Sequence, residues 1–269
     1  MTPQPSATPS PPLIERSTTT GGELSLTARQ GGFALGGLHA QPTHDGLTVT
    51  DLWGMARTDP SLLRQLLDAG RRGQEAEVLQ PGDAMPEAVL AAAGLRREGR
   101  RLLVERDLER LPARPDWTAT TMAEAGVSAF GAAFEEAMSG CRDSELAWRT
   151  PGEWMLRFWR RGGATAGAER WVILADARGP VGVVLPGVAP LTGEGWLSFF
   201  GVLPSRRGQG LGAPLHAWGL HALAEAGAIW YRDATSLESP AVRRVARRNG
   251  CVEVGVATVW RLGGPATPA

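Results

Sequence analysis

The stretch 201–212 reads Gly201-Val202-Leu203-Pro204-Ser205-Arg206-Arg207-Gly208-Gln209-Gly210-Leu211-Gly212. An apolar run, 194–202 (EGWLSFFGV), leads into it, and an Ala/Leu-rich run leads out of it to Gly227. The order is therefore strand, Gly-rich turn, helix. Glycine admits positive φ and close approach of a ligand to the main chain. The N–H groups of such a turn and of the first helical turn lack internal partners. With the helix dipole they form a seat for an anion, above all a pyrophosphate. Arg207 adds a guanidinium able to fork onto phosphate.

Other phosphate loops can be tested against this stretch. A Walker loop needs a lysine, and the chain contains none. The dinucleotide fingerprint fits in part, through Gly208, Gly210 and Ala213, with Asp233 after the next strand. Against it, the loop follows a hairpin rather than opening a βαβ fold, and Pro204 and Arg207 have no role in that fingerprint.

Working outward, 171–176 and 181–185 flank Gly179 as a hairpin ahead of the 194–202 strand. After the loop come a helix to Gly227, a strand over 228–233, and a helix opened by Ser239-Pro240 and closed by Gly250. Two short strands, 251–256 and 257–262, finish this half. Upstream of the hairpin, 121–138 reads as one helix with Val127, Phe130, Phe134 and Ala137 on a face, and 151–161 as a second. The first half opens with alternating runs over 23–28, 32–38 and 47–53. A helix follows with Leu62, Leu63, Leu66 and Leu67, then a strand over 77–79, a helix over 86–93 and a strand over 102–105. The Pro-containing stretch 111–117 (LPARPDW) marks the boundary. From the hairpin onward both halves share one order, which points to an internal duplication, the alternative being two unrelated α/β domains. The expected division is a tail over 1–12, domains over 13–110 and 116–262, and a tail over 263–269.

Composition narrows the function. Lys+Arg and Asp+Glu are 28 each, so no basic excess exists to neutralise a phosphate backbone, which argues against nucleic acid. Cys141 and Cys251 stand in no metal spacing and read as small core or surface residues; no metal is expected. The Pro/Ser/Thr-rich start lacks the cationic and apolar regions of a signal peptide, and no window reaches the roughly 18 apolar residues of a membrane span. A cytoplasmic protein without a membrane partner is expected.

The frame of strand, Pro, Arg-Gly-x-Gly-x-Gly, helix, strand and Ser-Pro-capped helix resembles the GNAT superfamily of N-acetyltransferases. Arg207, Gly210 and Gly212 fill its coenzyme motif, and Val202-x-Pro204 also looks like the family. The resemblance covers 117–262 in element order and is specific over 196–213. It implies an α/β fold with a mixed sheet, present in tandem, and acetyl-CoA as cosubstrate. The main-chain N–H groups of Arg207, Gly208, Gln209, Gly210, Leu211 and Gly212 would hold the CoA pyrophosphate. The strand edge at Phe200, Gly201 and Val202 would pair with the pantetheine arm. In the family that strand splays from the next, and the acyl group sits in the gap.

The implied reaction is direct attack of an amine on the thioester in a ternary complex. The family's usual thiolate acid, a Tyr four residues before the helix-ending Gly, is here Ala246, and the chain's one Tyr is Tyr231. Ser239 replaces a frequent Asn and is either an N-cap or a catalytic group, and the acid role is open to a water or to Ser239. Glu194, on one strand face with Trp196 and Ser198, is the candidate base or a solvated strand end; Asp233 and Glu238 are further candidates. His216 and His221 read as core or surface residues. Trp148, Trp154 and Trp159 line an acceptor pocket or pack a core. In the first half, Gly-Met-Ala-Arg-Thr-Asp-Pro-Ser (54–61) makes a poor pyrophosphate cradle, so that half is expected to be a degenerate GNAT-like domain. The partners implied are a small-molecule or peptide amine and a second copy of the chain in a homodimer. The competing functions are a non-catalytic acyl-CoA-binding or regulatory protein of the same fold, and a module for another anion such as a dinucleotide.

Overall fold

The computed structural model describes residues 11–18, 23–43, 46–71, 75–81, 87–140, 150–152, 155, 170–189, 192–237 and 239–263. The chain forms two compact units. Met1–Glu98 with Val259–Pro268 make the first, and Gly99–Thr258 with Ala269 make the second.

In unit 1, β1 (Leu13–Thr18), β2 (Leu24–Gln30), β3 (Phe33–Thr43) and β4 (Gly46–Gly54) pair antiparallel in order. A 3₁₀ turn, Met55–Arg57, leads to α1 (Pro60–Arg71), and β5 (Glu75–Pro81) returns parallel to β4. Then come α2 (Glu87–Ala92) and the start of β6 (Arg96–Asp107). Alternation explains β2: Leu24, Leu26 and Ala28 are buried, whereas Ser25 and Thr27 are half-exposed. On α1, Leu62, Leu63, Leu66 and Leu67 form one buried stripe that packs on that face. Each such leucine contributes about 1.5–3 kcal/mol by leaving water. Edge strand β1 has no counterpart among the expected elements.

Asp59 caps α1. Its Oδ1 accepts the N–H of Ser61 at 2.8 Å and of Leu62 at 3.2 Å. A carboxylate of the chain itself thus occupies this helix N-terminus, where an anion would otherwise sit. Asp59→Ala is expected to lower stability by about 1 kcal/mol, read as a shift in urea midpoint at unchanged m-value.

Unit 2 repeats the pattern. β7 (Thr118–Thr121) precedes the short α3 (Met122–Ala125) and α4 (Val127–Met138). β8 (Val172–Asp176), β9 (Gly179–Ala189) and β10 (Glu194–Val202) follow, each antiparallel to the one before. A 3₁₀ turn, Pro204–Arg206, enters the Gly-rich loop, and α5 (Gly212–Glu225) leaves it. β11 (Trp230–Ser236) runs parallel to β10, and α6 (Pro240–Arg248) and β12 (Val252–Leu262) close the unit. One face of this sheet packs on α5 through Leu197, Leu215, Leu220 and Leu223, and the other on α4 through Phe130, Phe134, Val183 and Leu185. Among the described residues no helix is long and apolar enough to cross a membrane.

Several expectations are corrected. The helix over 121–138 is broken at Gly126, whose φ of 80° no helix accommodates, and Thr121 and Glu124 form a capping box for its first part. The two short strands over 251–262 are one strand, β12. The boundary at 111–117 also moves. β6 already pairs with β11 over Arg101–Asp107, so its residues from Gly99 belong to unit 2. Trp260 and Leu262, at the end of β12, lie in the unit 1 core. Most of the helix expected over 151–161 lies outside the described residues, as do Cys141, Trp148, Trp154, Trp159 and Glu238.

Candidate functional site

The loop gains its shape from two glycines. Gly208 and Gly210 have φ of 76° and 77°, while Leu211 is right-handed at φ −75° and ψ −12°. Left-handed residues among right-handed ones turn successive N–H groups to one side. Arg207 N–H donates to Pro204 O at 3.2 Å, and Leu215 N–H to Leu211 O at 3.0 Å. Between them, Gly208, Gln209, Gly210, Leu211, Gly212 and Ala213 have no acceptor for their N–H groups among the described residues. Pro214 has no N–H, and at the third helical position it loses no intrahelical bond. No side chain caps α5, and no acidic residue stands in its first turn. This helix N-terminus is open where that of α1 is closed by Asp59. A Cβ built on Gly208 or Gly210 would meet nothing within 4 Å, so the loop faces free space.

Two arginines hold the loop. Arg206, which the sequence reading passed over, is buried. It pairs with Asp176 at 2.6 Å and donates to Gly179 O and Pro180 O, locking the loop to the β8–β9 turn. Its hydrogen bond keeps the Asp176 carboxyl below the usual carboxylate range. Arg207 departs from expectation. Its Nε donates to Val202 O at 3.0 Å, Nη1 to Ser139 O at 2.6 Å and Nη2 to Ala137 O at 2.8 Å. The guanidinium therefore ties the end of α4 to the loop, and the reading of it as a phosphate fork is corrected. A second exposed guanidinium beside the loop is that of Arg178, whose Nη2 donates to Gln209 Oε1 at 3.1 Å. A single ammonium nitrogen cannot span three carbonyls that Nε, Nη1 and Nη2 reach separately, so Arg207→Lys should behave like Arg207→Ala, each losing about 1–2 kcal/mol, or several degrees in Tm. Wild-type stability in Arg207→Lys would restore the simple charge role.

Beside the loop a wedge opens. β10 and β11 pair only at Glu194↔Trp230 and Gly195↔Tyr231, although β10 runs on to Val202 and β11 to Ser236. Such a crevice at the carboxyl ends of parallel strands, next to a helix N-terminus, is where open α/β sheets bind ligands. Phe200, Gly201 and Val202 lie on β10 beyond the last pairing, and their other edge is bonded to β9. A register shift between Leu197 and Phe199 re-aims the side chains: Leu197 and Phe200 face α5, and Phe199 faces α4.

A buried polar chain backs the wedge. Asn249 Nδ2 donates to Ala213 O at 2.8 Å and to His216 Nδ1 at 2.9 Å. With Nδ1 an acceptor, the His216 proton sits on Nε2, which donates to the Tyr231 hydroxyl at 3.2 Å. Tyr231 in turn donates to Asp233 Oδ2 at 3.0 Å. Burial, with Arg106 adding to it, holds the His216 pKa down at about 3, and burial drives that of Tyr231 up. His216 is thus a core residue, as its sequence position suggested. His221 bonds Pro112 O at 2.8 Å on the other side of its helix.

The two candidate catalytic residues fare differently. Glu194 lies at the paired end of β10 and meets Arg232 at 3.4 Å, so it stands away from the gap. Ser239 occupies the N-cap position of α6 as expected, and its carbonyl accepts the Arg243 N–H at 3.2 Å, but its side chain makes no capping bond. Ala246 is buried, and its carbonyl accepts the N–H of Asn249 and Cys251.

A mixed sheet with a splayed parallel pair and a Gly-rich loop opening onto a helix is the fold of the GCN5-related N-acetyltransferases, and unit 1 repeats its sheet-and-helix order without the Gly-rich loop. The chain is similar to a GCN5-related N-acetyltransferase from Sphaerobacter thermophilus, with TM-score 0.56 and 17% identity over 89% of this chain and 80% of that one. It is likewise similar to one from Kribbella flavida, with TM-score 0.54 and 20% identity over 94% and 90%. A tandem GNAT protein from the clavulanic acid biosynthesis pathway aligns with TM-score 0.52 and 16% identity over 91% and 84%. At such identities the likeness is one of fold. No family model and no curated protein matches the sequence.

Proposed function

We propose that the chain is an acyl-CoA-dependent N-acyltransferase that moves an acetyl group from acetyl-CoA to an amine by direct attack. The observation that carries this reading is the run of unpartnered main-chain N–H groups from Gly208 to Ala213, set at the mouth of the wedge between β10 and β11. Those groups suit a diphosphate, and Arg178 adds a positive charge within reach of the same loop. The unpaired edge of β10 suits an extended arm laid along it as an added strand, with the thioester at the narrow end of the wedge. Catalysis would consist mainly of positioning two substrates and handling the amine's protons. The acceptor is a small-molecule or peptide amine.

Thermal unfolding with CoA, NAD and ATP tests the binding half of this reading. CoA should raise Tm by mass action, and the other two should not. Thiol release from acetyl-CoA with a panel of amines tests the chemistry. A second reading, a non-catalytic acyl-CoA-binding protein, draws support from Ala246, which offers no acid where the resembling enzymes carry a Tyr. Tight CoA binding without thiol release on any amine would favour it.

A further inference from the structure

Helix α6 carries four arginines, and they divide into two pairs. Arg243 Nε and Nη2 each meet a Glu253 oxygen at 2.6 Å, and Arg247 Nε meets the same carboxylate at 3.5 Å. Arg244 and Arg248 are exposed, and among the described residues neither has a carboxylate, a carbonyl or a ring as partner. They stand one turn apart, where two like charges repel and weaken a helix. A cation in the last turn suits the helix dipole, which accounts for Arg248 but not for Arg244.

Neighbouring residues set the place of this pair. Val245 touches the first residue of α5, since a Cβ built on Gly212 would lie 3.2 Å from Val245 Cγ2. One turn on, Asn249 Nδ2 donates to Ala213 O at 2.8 Å. The helix α6 therefore lies against the first turn of α5, beside the open N–H groups of Gly212 and Ala213. With about 3.6 residues per turn, the buried Ala246 and Asn249 face inward and Arg243 and Arg247 flank them on the side of Glu253. Arg244 and Arg248 occupy the other flank, past Val245. Two positive charges without a counter-ion thus stand beside the seat for a diphosphate.

CoA carries a third phosphate, a monoester on its ribose, with a charge of about −1.5 to −2 at neutral pH. Guanidinium groups fork onto such an oxyanion, and a pair of them matches its charge. We propose that Arg244 and Arg248 bind the 3′-phosphate of CoA, so that the site selects CoA over nucleotides that offer a diphosphate alone. This rests on the acyltransferase reading above and adds a second anchor to the same cosubstrate.

The test measures the Kd of CoA and of 3′-dephospho-CoA by titration calorimetry at low salt, in wild type and in the double variant Arg244→Gln/Arg248→Gln. Wild type should bind CoA at least about 10-fold more tightly than dephospho-CoA. The double variant should lose that preference: its CoA Kd rises to the dephospho-CoA value, which itself stays within about twofold. Added salt should narrow the wild-type gap, because both arginines are exposed. Both side chains lack partners in the fold, so the variant should keep the wild-type Tm; Arg244→Gln alone carries the same comparison with a smaller change. Arg243→Gln, whose guanidinium is held by Glu253, should leave the preference intact. Equal affinity of wild type for the two ligands, a preference that survives in the double variant, or an equal loss on both ligands overturns the arginine assignment and leaves the acyltransferase reading standing. A wild-type protein that binds neither ligand overturns both.

Discussion

Gly210→Val should abolish measurable CoA binding, a loss of at least about 100-fold in affinity, in a protein that remains folded. Gly210 holds φ of 77°, where a β-branched residue is strained by about 1–2 kcal/mol. The loop can relieve that strain only by turning its peptide units, which scatters the N–H groups that converge between Gly208 and Ala213. The added side chain meets no protein atom within 4 Å, so it projects into the space where an anion would approach. Stability and binding therefore separate: a small fall in Tm accompanies a large fall in affinity. Gly32→Val is the matched control, because Gly32 has φ of 86°, equally open surroundings and a place in a unit 1 hairpin. It should cost similar stability and leave titration calorimetry with CoA unchanged. Wild-type affinity in Gly210→Val would remove the loop from the site.

The second large effect is sensitivity to acid. His216 has its pKa lowered from 6.5 to about 3, so it stays neutral in the fold and protonates once the chain unfolds. Between those values the unfolded state binds more protons, and stability falls as pH falls. The limiting slope from this one residue is about 1.4 kcal/mol per pH unit. Urea unfolding at several pH values between about 4 and 6.5 should show that slope on top of other contributions, and His216→Gln should lack it. An unchanged slope in His216→Gln would place the titrating group elsewhere. Cys251 acts at the opposite end. Burial pushes its thiol from 9.0 up to about 12, so the unfolded thiol ionises first and stability falls as pH rises above 9.

Much of the fold was legible because it rests on short-range pattern. The run 194–202 matches β10 in both bounds, and the leucines of 62–67 lie on the buried face of α1. The Gly-rich turn could be read as an anion seat because glycine, helix start and missing capping residue are neighbours in sequence. The same reasoning found the first half's counterpart poor, and Asp59 gives the structural reason. Where local reading failed, signals were missed or partners were distant. The capping box of Thr121 and Glu124, with Gly126 behind it, was present in the sequence and divides the helix expected there.

The sequence by itself determined the alternation that makes the strands, the stripe that makes α1, and the glycines that open the loop. Each depends on residues within one turn or one hairpin. Only the tertiary structure decided what Arg207 touches, since its acceptors Ala137 and Ser139 lie some seventy residues away along the chain. The same holds for the chain from Asn249 through His216 and Tyr231 to Asp233, drawn from two helices and a strand, and for the sharing of β6 and β12 between the units. A side chain's hydrogen-bond donors select whatever acceptor the packed backbone brings within about 3 Å. Sequence period carries no record of that distance.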